Sequence, residues 1–130
     1  EGIDQRIIDH YVDDEISIGD YVLSGGELPA LVVFDAITRN IEGVLGDELS
    51  LEQESFSVGL LEYPQYTRPE KMKLGDVPKE LLSGNHAVIE QWRKKQMLGI
   101  TSSRRKDLLG KIKLSPEEKA LLEEFFDEVE

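Results

Sequence analysis

Apolar positions fall into a short block at 18–23, a nearly continuous block at 31–41 and spaced stripes from 81 to 129. In the first block, Ile18, Tyr21, Val22 and Leu23 supply β-branched, aromatic and aliphatic bulk, which predicts a short strand. Gly25-Gly26 follows and lets the backbone turn through conformations closed to other residues. Pro29 then suits the first turn of a helix, where a missing N–H costs nothing. Strand, glycine turn and helix start together can cradle a small polar ligand, although the same Gly-Gly also reads as a plain turn. A helix is predicted over 29–42, with Asp35, Arg39 and Glu42 sharing one face at spacings of four and three. Leu31, Val32, Val33, Phe34, Ile37 and Ile41 cover most of the remainder, which predicts burial on several sides. Gly43 reads as its C-cap. The helix and strand suggest an α/β layer whose other strands are not visible in the sequence. That gap, with a first residue that is not methionine, reads as part of a longer protein.

The pattern changes between 46 and 57. Gly46 to Glu54 is acidic and poor in core-forming residues, as an exposed linker would be. Tyr63-Pro64-Gln65-Tyr66-Thr67-Arg68-Pro69 is an extended stretch stiffened by two prolines. Ser83 or Asn85 can cap a helix running through Ile89, Trp92, Arg93 and Met97. Ser102 or Ser103 then precedes a short basic helix through Leu108-Leu109, closed by Gly110. Ser115, Pro116 and Glu118 mark the start of a last helix with an apolar stripe of Leu121, Leu122, Phe125, Phe126 and Val129. Residues 1–45 therefore read as part of an α/β domain, 46–57 as a flexible linker and 58–130 as a small all-α domain.

Composition narrows the picture. A 130-residue chain with 39% hydrophobic and 32% charged residues is ordinary for a folded protein. No apolar run approaches the roughly 18 residues that cross a bilayer, so no membrane partner is expected. The absence of cysteine excludes disulfide and thiolate chemistry and fits a cytoplasmic location. The net charge of −12 is unevenly spread. Residues 1–60 carry 14 acids and two bases, 61–115 six acids and 12 bases, and 116–130 seven acids and one base. Overall acidity argues against indiscriminate nucleic-acid binding, but the basic middle segment also holds Tyr63, Tyr66 and Trp92. Phosphate contacts with stacking rings suit a selective RNA surface, and a solvated lysine-rich helix face is the other reading.

Few residues are placed for chemistry. His10 and His86 lie far apart with no cysteine, so no metal-ligand spacing appears. Neither a serine elbow, a P-loop nor a dinucleotide fingerprint is present. His86 reads as part of a helix-start turn rather than a catalyst, and Trp92 as core rather than an RNA-stacking ring. Arg39, beside an acidic linker, is either an ion-pair partner of Asp35 or a catalytic cation.

Several blocks carry a resemblance that spans essentially the whole chain, in one order. Glu1-Gly2-Ile3-Asp4, Ser17 through Ala30 (Ser-Ile-Gly-Asp-Tyr-Val-Leu-Ser-Gly-Gly-Glu-Leu-Pro-Ala) and Gly43-Val44-Leu45-Gly46 are three of them. Tyr66-Thr67-Arg68-Pro69 and Leu81-Leu82-Ser83-Gly84-Asn85-His86 follow, with Ile89, Trp92 and Arg93 in register. In these the chain resembles the bacterial tRNA (guanine-N1)-methyltransferases, the TrmD family. The resemblance implies a SPOUT-class α/β domain with a trefoil knot, a linker and a C-terminal helical domain, assembled as a homodimer. It implies methyl transfer from S-adenosylmethionine to N1 of the guanine 3′ of the anticodon, with a magnesium dependence. Ile18, Gly19, Asp20, Tyr21, Val22 and Leu23 would lie along the cofactor, Gly25, Gly26 and Pro29 would shape the loop around it, and Glu1 would stand nearby. Arg39 matches the family's catalytic arginine. The family's base is an aspartate just before Ser-Phe. Here Glu54 precedes Ser55-Phe56, so Glu54 is the expected base and Glu52 the second candidate. Arg68, Ser83, Asn85, His86, Arg93, Lys94 and Lys95 would hold the tRNA anticodon stem-loop, with no DNA partner. A non-catalytic RNA-binding or dimerising module is the rival reading. A helical protein-interaction domain is a third, which leaves the 17–30 block without a reason.

Overall fold

The computed structural model describes residues 2–41, 43–44, 55–56 and 58–129, which fall into two units, 1–48 and 49–130. In the first unit, helix α1 (Gln5–Tyr11) starts where Asp4 Oδ1 accepts from the Arg6 backbone N–H at 2.9 Å. Helix α2 (Glu27–Thr38) starts at Gly26, and Pro29 occupies its first turn as predicted. It ends earlier than the predicted 42. Thr38 Oγ1 donates to the Phe34 carbonyl at 2.8 Å, and Asn40 Nδ2 takes the Ala36 carbonyl at 2.6 Å. The backbone then tightens to bonds from Asn40 N to Ile37 O and from Ile41 N to Thr38 O. Side-chain competition for the last carbonyls stops the helix, and Arg39, not Gly43, is its C-cap.

Two expectations for this unit are corrected. Residues 17–23 form no strand; Ser17 Oγ instead bonds locally to Gly19, and Val22 is 98% exposed. A strand needs a neighbour to complete its ladder, and no other strand is formed by the described residues of this unit. The α/β layer is therefore absent among them. Nor are the apolar positions of α2 buried: Leu31 is 62% exposed, Phe34 65% and Ile37 58%.

The second unit holds the core, Leu60, Met97 and Leu98, with Tyr63, Leu109, Ile112, Leu114, Leu121 and Leu122 packed against it. A two-residue hairpin, β1 (Lys71–Met72) paired antiparallel with β2 (Gly75–Asp76), precedes the helices. The unit is thus mostly helical and not all-α, because Lys73-Leu74 closes a tight turn that propensity alone does not announce. Helices α3 (Lys79–Leu82), α4 (His86–Arg104), α5 (Lys106–Leu109) and α6 (Pro116–Val129) follow.

Asn85 caps α4 by accepting from the Ala87 backbone N–H at 3.1 Å. The short helix through Leu108-Leu109 closes at Gly110 as expected, but Ser102 and Ser103 before it lie inside α4, where Ser103 Oγ donates to the Gly99 carbonyl at 2.9 Å. The α6 start is as predicted, a reciprocal box. Glu118 N–H donates to Ser115 Oγ at 3.1 Å, and Ser115 N–H donates to Glu118 Oε2 at 2.8 Å. α4 and α6 approach closely at Gly99, where a Cβ would stand 2.2 Å from the Phe125 ring. Thr101, fully buried, donates to the Met97 carbonyl at 2.6 Å and accepts from the Leu61 N–H at 2.8 Å. That pair ties the extended segment after residue 60 to α4.

Candidate functional site

In the first unit, the residues expected along the cofactor form one short irregular segment. Ile18, Gly19 and Pro29 are half-buried, while Asp20, Tyr21, Val22, Leu23, Gly25 and Gly26 are exposed. Backbone groups from Asp20 to Gly25 take no hydrogen bond from the other described residues. The Glu27 carboxylate lies against Gly25, where a Cβ would stand 2.2 Å from its Oε2. A Cβ built on Gly26 would meet nothing within 4 Å, so backbone approach there is unobstructed. Arg39 is half-buried at the far end of α2, its backbone N–H bonded to the Asp35 carbonyl at 3.1 Å. At about 1.5 Å per residue, α2 sets Gly26 and Arg39 about 20 Å apart, so one copy of the helix does not bring the two together. Glu1, Glu52 and Glu54 lie outside the described residues. Ser55 and Phe56, next to Glu54 in sequence, are tied down: Ser55 Oγ accepts from the Glu62 N–H at 2.9 Å, and Phe56 N–H donates to the Leu60 carbonyl at 2.8 Å.

The second unit carries a cavity of about 390 Å³. Tyr63, Tyr66, Arg68 and Arg93 line it together with the apolar Val77, Leu81, Leu82 and Ile89. The Arg93 guanidinium lies 4.6 Å over the Tyr63 ring and donates to Glu90 at 2.8 Å. The Tyr66 ring meets the edge of buried Trp92, centroids 6.1 Å apart, which bears out Trp92 as core. Arg68 and Arg93 are thus brought together. Ser83 and Asn85 are engaged locally, Ser83 Oγ donating to the Glu80 carbonyl at 2.7 Å and accepting from the Asn85 N–H at 3.1 Å. His86 is the exposed first residue of α4, the helix-start position expected of it.

Lys94 and Lys95 turn instead toward α6. Lys94 pairs with Glu118 at 2.9 Å. Lys95 is only 6% exposed and bonds to Glu124 at 2.8 Å and Glu128 at 2.7 Å. Burial is the largest single influence on Lys95 and draws its pKa down, but the hydrogen bonds and charges of Glu124 and Glu128 together outweigh it and leave it raised. The stabilisation from this cluster is full below the ordinary lysine value of 10.5 and is lost as pH rises through the raised one. Glu118 runs the other way. The Ser115 backbone N–H, then Lys94, lower its pKa below 4.5, so its contribution is present above that value and lost as pH falls. Lys95→Met is expected to change stability by no more than about 1 kcal/mol, because both glutamates are half-exposed and stay solvated. Urea unfolding checks it, and tRNA affinity is expected to stay within about twofold; a tenfold loss would return Lys95 to the RNA surface.

Sequence reading missed this pairing, although the signal was present as an acidic last helix against a basic α4. Among the described residues, no group of three histidines or acids is placed to hold a metal ion. No helix among them is long and apolar enough to cross a membrane.

The family model described as tRNA (Guanine-1)-methyltransferase TrmD matches residues 1–111. The chain belongs to the TrmD family. Among curated TrmD-family relatives, it is 58% identical over 128 residues to the tRNA (guanine-N(1)-)-methyltransferase of Coxiella burnetii strain RSA 493, covering 98% of the chain and 52% of that protein. The enzyme of the same name from Methylococcus capsulatus is 58% identical over 130 residues, covering 100% of the chain and 52% of that protein. That from Aeromonas hydrophila is 55% identical over 129 residues, covering 99% and 52%. The chain spans about half the length of the curated relatives it matches.

Proposed function

We propose that the protein methylates N1 of the guanine 3′ of the anticodon in tRNA, using S-adenosylmethionine. The match to the TrmD family across residues 1–111 carries this reading. The backbone of Asp20–Gly25, without hydrogen bonds from the other described residues, and the unobstructed Gly26 suit a ligand held by main-chain groups. When bound there, S-adenosylmethionine would supply an electrophilic methyl. The chain's own part is proton and charge handling. N1 of neutral guanine carries a proton, and Glu54 removes it as general base. Negative charge then grows toward O6, where the guanidinium of Arg39 stabilises it. Ser55 and Phe56, bonded to Glu62 and Leu60, directly follow Glu54 in the chain.

A SPOUT trefoil knot follows from the same reading, as do a cytoplasmic location and a homodimer. The exposed apolar residues of α2 support association, and a second copy can bring an Arg39 to the cofactor segment that its own helix holds away. Magnesium is assigned no residue. Calorimetric titration with S-adenosylmethionine tests the cofactor reading: saturable binding is expected, and no heat at millimolar cofactor would overturn it. Arg68→Ala is expected to weaken tRNA binding and reduce the slope of log affinity against log salt by about 1. An unchanged slope would take Arg68 off the phosphate path.

A further inference from the structure

The cavity beside Arg68 and Arg93 has a shape and lining that a backbone-tracking RNA surface does not require. We propose that it receives one unstacked nucleotide of the bound tRNA, the base against Tyr66 and the apolar wall and the phosphate toward Arg68. This deepens the tRNA reading above and rests on it. At about 390 Å³ the cavity lies within the range of sites that enclose a small ligand, roughly 300–1,000 Å³.

Its chemistry divides in two. Val77, Leu81, Leu82 and Ile89 offer an apolar wall, and Leu82 is 50% exposed and Tyr66 46% exposed. These are surfaces that a planar base would remove from water. The lining also holds two arginines against a single acid, Glu70. Arg93 is stacked on Tyr63 and bound to Glu90, which sets its charge beside the cavity. An apolar peptide would leave both arginines unused. An acidic peptide would leave the wall uncovered. A nucleotide uses both.

The test is a set of tRNA anticodon stem-loops, each carrying 2-aminopurine at one loop or flanking position, titrated with the 130-residue chain. One position is expected to change fluorescence sharply, and Tyr66→Ala is expected to abolish that change and weaken binding about tenfold to a hundredfold. Tyr66→Phe keeps the ring and should retain both. The Tyr66→Ala loss should leave the salt slope unaltered, because stacking releases no counterions. Leu82→Trp fills the cavity from an exposed position, so its melting temperature should hold while the 2-aminopurine signal disappears. Equal response at every position, or unaltered binding by both Tyr66→Ala and Leu82→Trp, would overturn the pocket while leaving the tRNA reading intact. Failure of the unsubstituted chain to bind any stem-loop would overturn the tRNA reading and the pocket with it. Capture of an acidic peptide at this site in preference to the stem-loop would overturn the pocket's assignment to RNA.

Discussion

Glu54→Gln is expected to slow methyl transfer by about two to four orders of magnitude, the range that one positioned general base contributes. The amide keeps the shape and hydrogen-bonding reach of the side chain but cannot take the N1 proton. S-adenosylmethionine affinity should stay within about twofold, because Glu54 is assigned to the proton and not to the cofactor. Glu54→Asp restores the residue type the family carries here and should keep most of the rate, which separates loss of the base from loss of folding. Turnover by Glu54→Gln near the unsubstituted rate would remove Glu54 from the mechanism and pass the role to Glu52.

Leu98→Ala is the substitution with the largest expected effect on folding, a loss of about 2–5 kcal/mol. Leu98 is fully buried, and its buried apolar neighbours are Leu60 and Met97. A unit of this size has a total stability on the order of 4–12 kcal/mol, so the loss would be a large fraction of it. The cavity is hard to close, because Gly99 already seats the Phe125 ring against α4. Urea unfolding followed by Trp92 emission measures it, since Trp92 is buried in the folded unit and exposed on unfolding. A change below about 1 kcal/mol would mean that α4 and α6 do not pack as described.

The elements legible in the sequence are those whose cause is local. Ser115, Pro116 and Glu118 announce α6 because all the partners of the cap lie within one turn. Trp92, read as core, is buried, and of the predicted α6 stripe Leu121, Leu122 and Phe125 are half-buried while Phe126 is 41% exposed. What depends on a distant partner was not legible. Ile18 to Leu23 have strand-like composition, but a strand is a property of two segments, and no second one is formed by the described residues of that unit. Lys95 looks like Arg93 and Lys94 beside it in sequence, and only the fold shows Glu124 and Glu128, 29 and 33 residues away, bonded to it. The early end of α2 was missed for a smaller reason, since Thr38 and Asn40 capture carbonyls that periodicity assigns to the backbone. For the site, sequence blocks pointed to the segment proposed to hold the cofactor and to Arg68 and Arg93. The stacking of Arg93 on Tyr63 and the apolar lining of the cavity required the structure.

The proposed reaction is tested most directly by incubating the protein with methyl-labelled S-adenosylmethionine and tRNA bearing guanine 3′ of the anticodon, then digesting the RNA and identifying the labelled nucleoside by mass spectrometry. The account predicts label in 1-methylguanosine at that one position, and none when the guanine is replaced by adenine. Label on another atom or another nucleotide, or tRNA that binds and remains unlabelled, would contradict it.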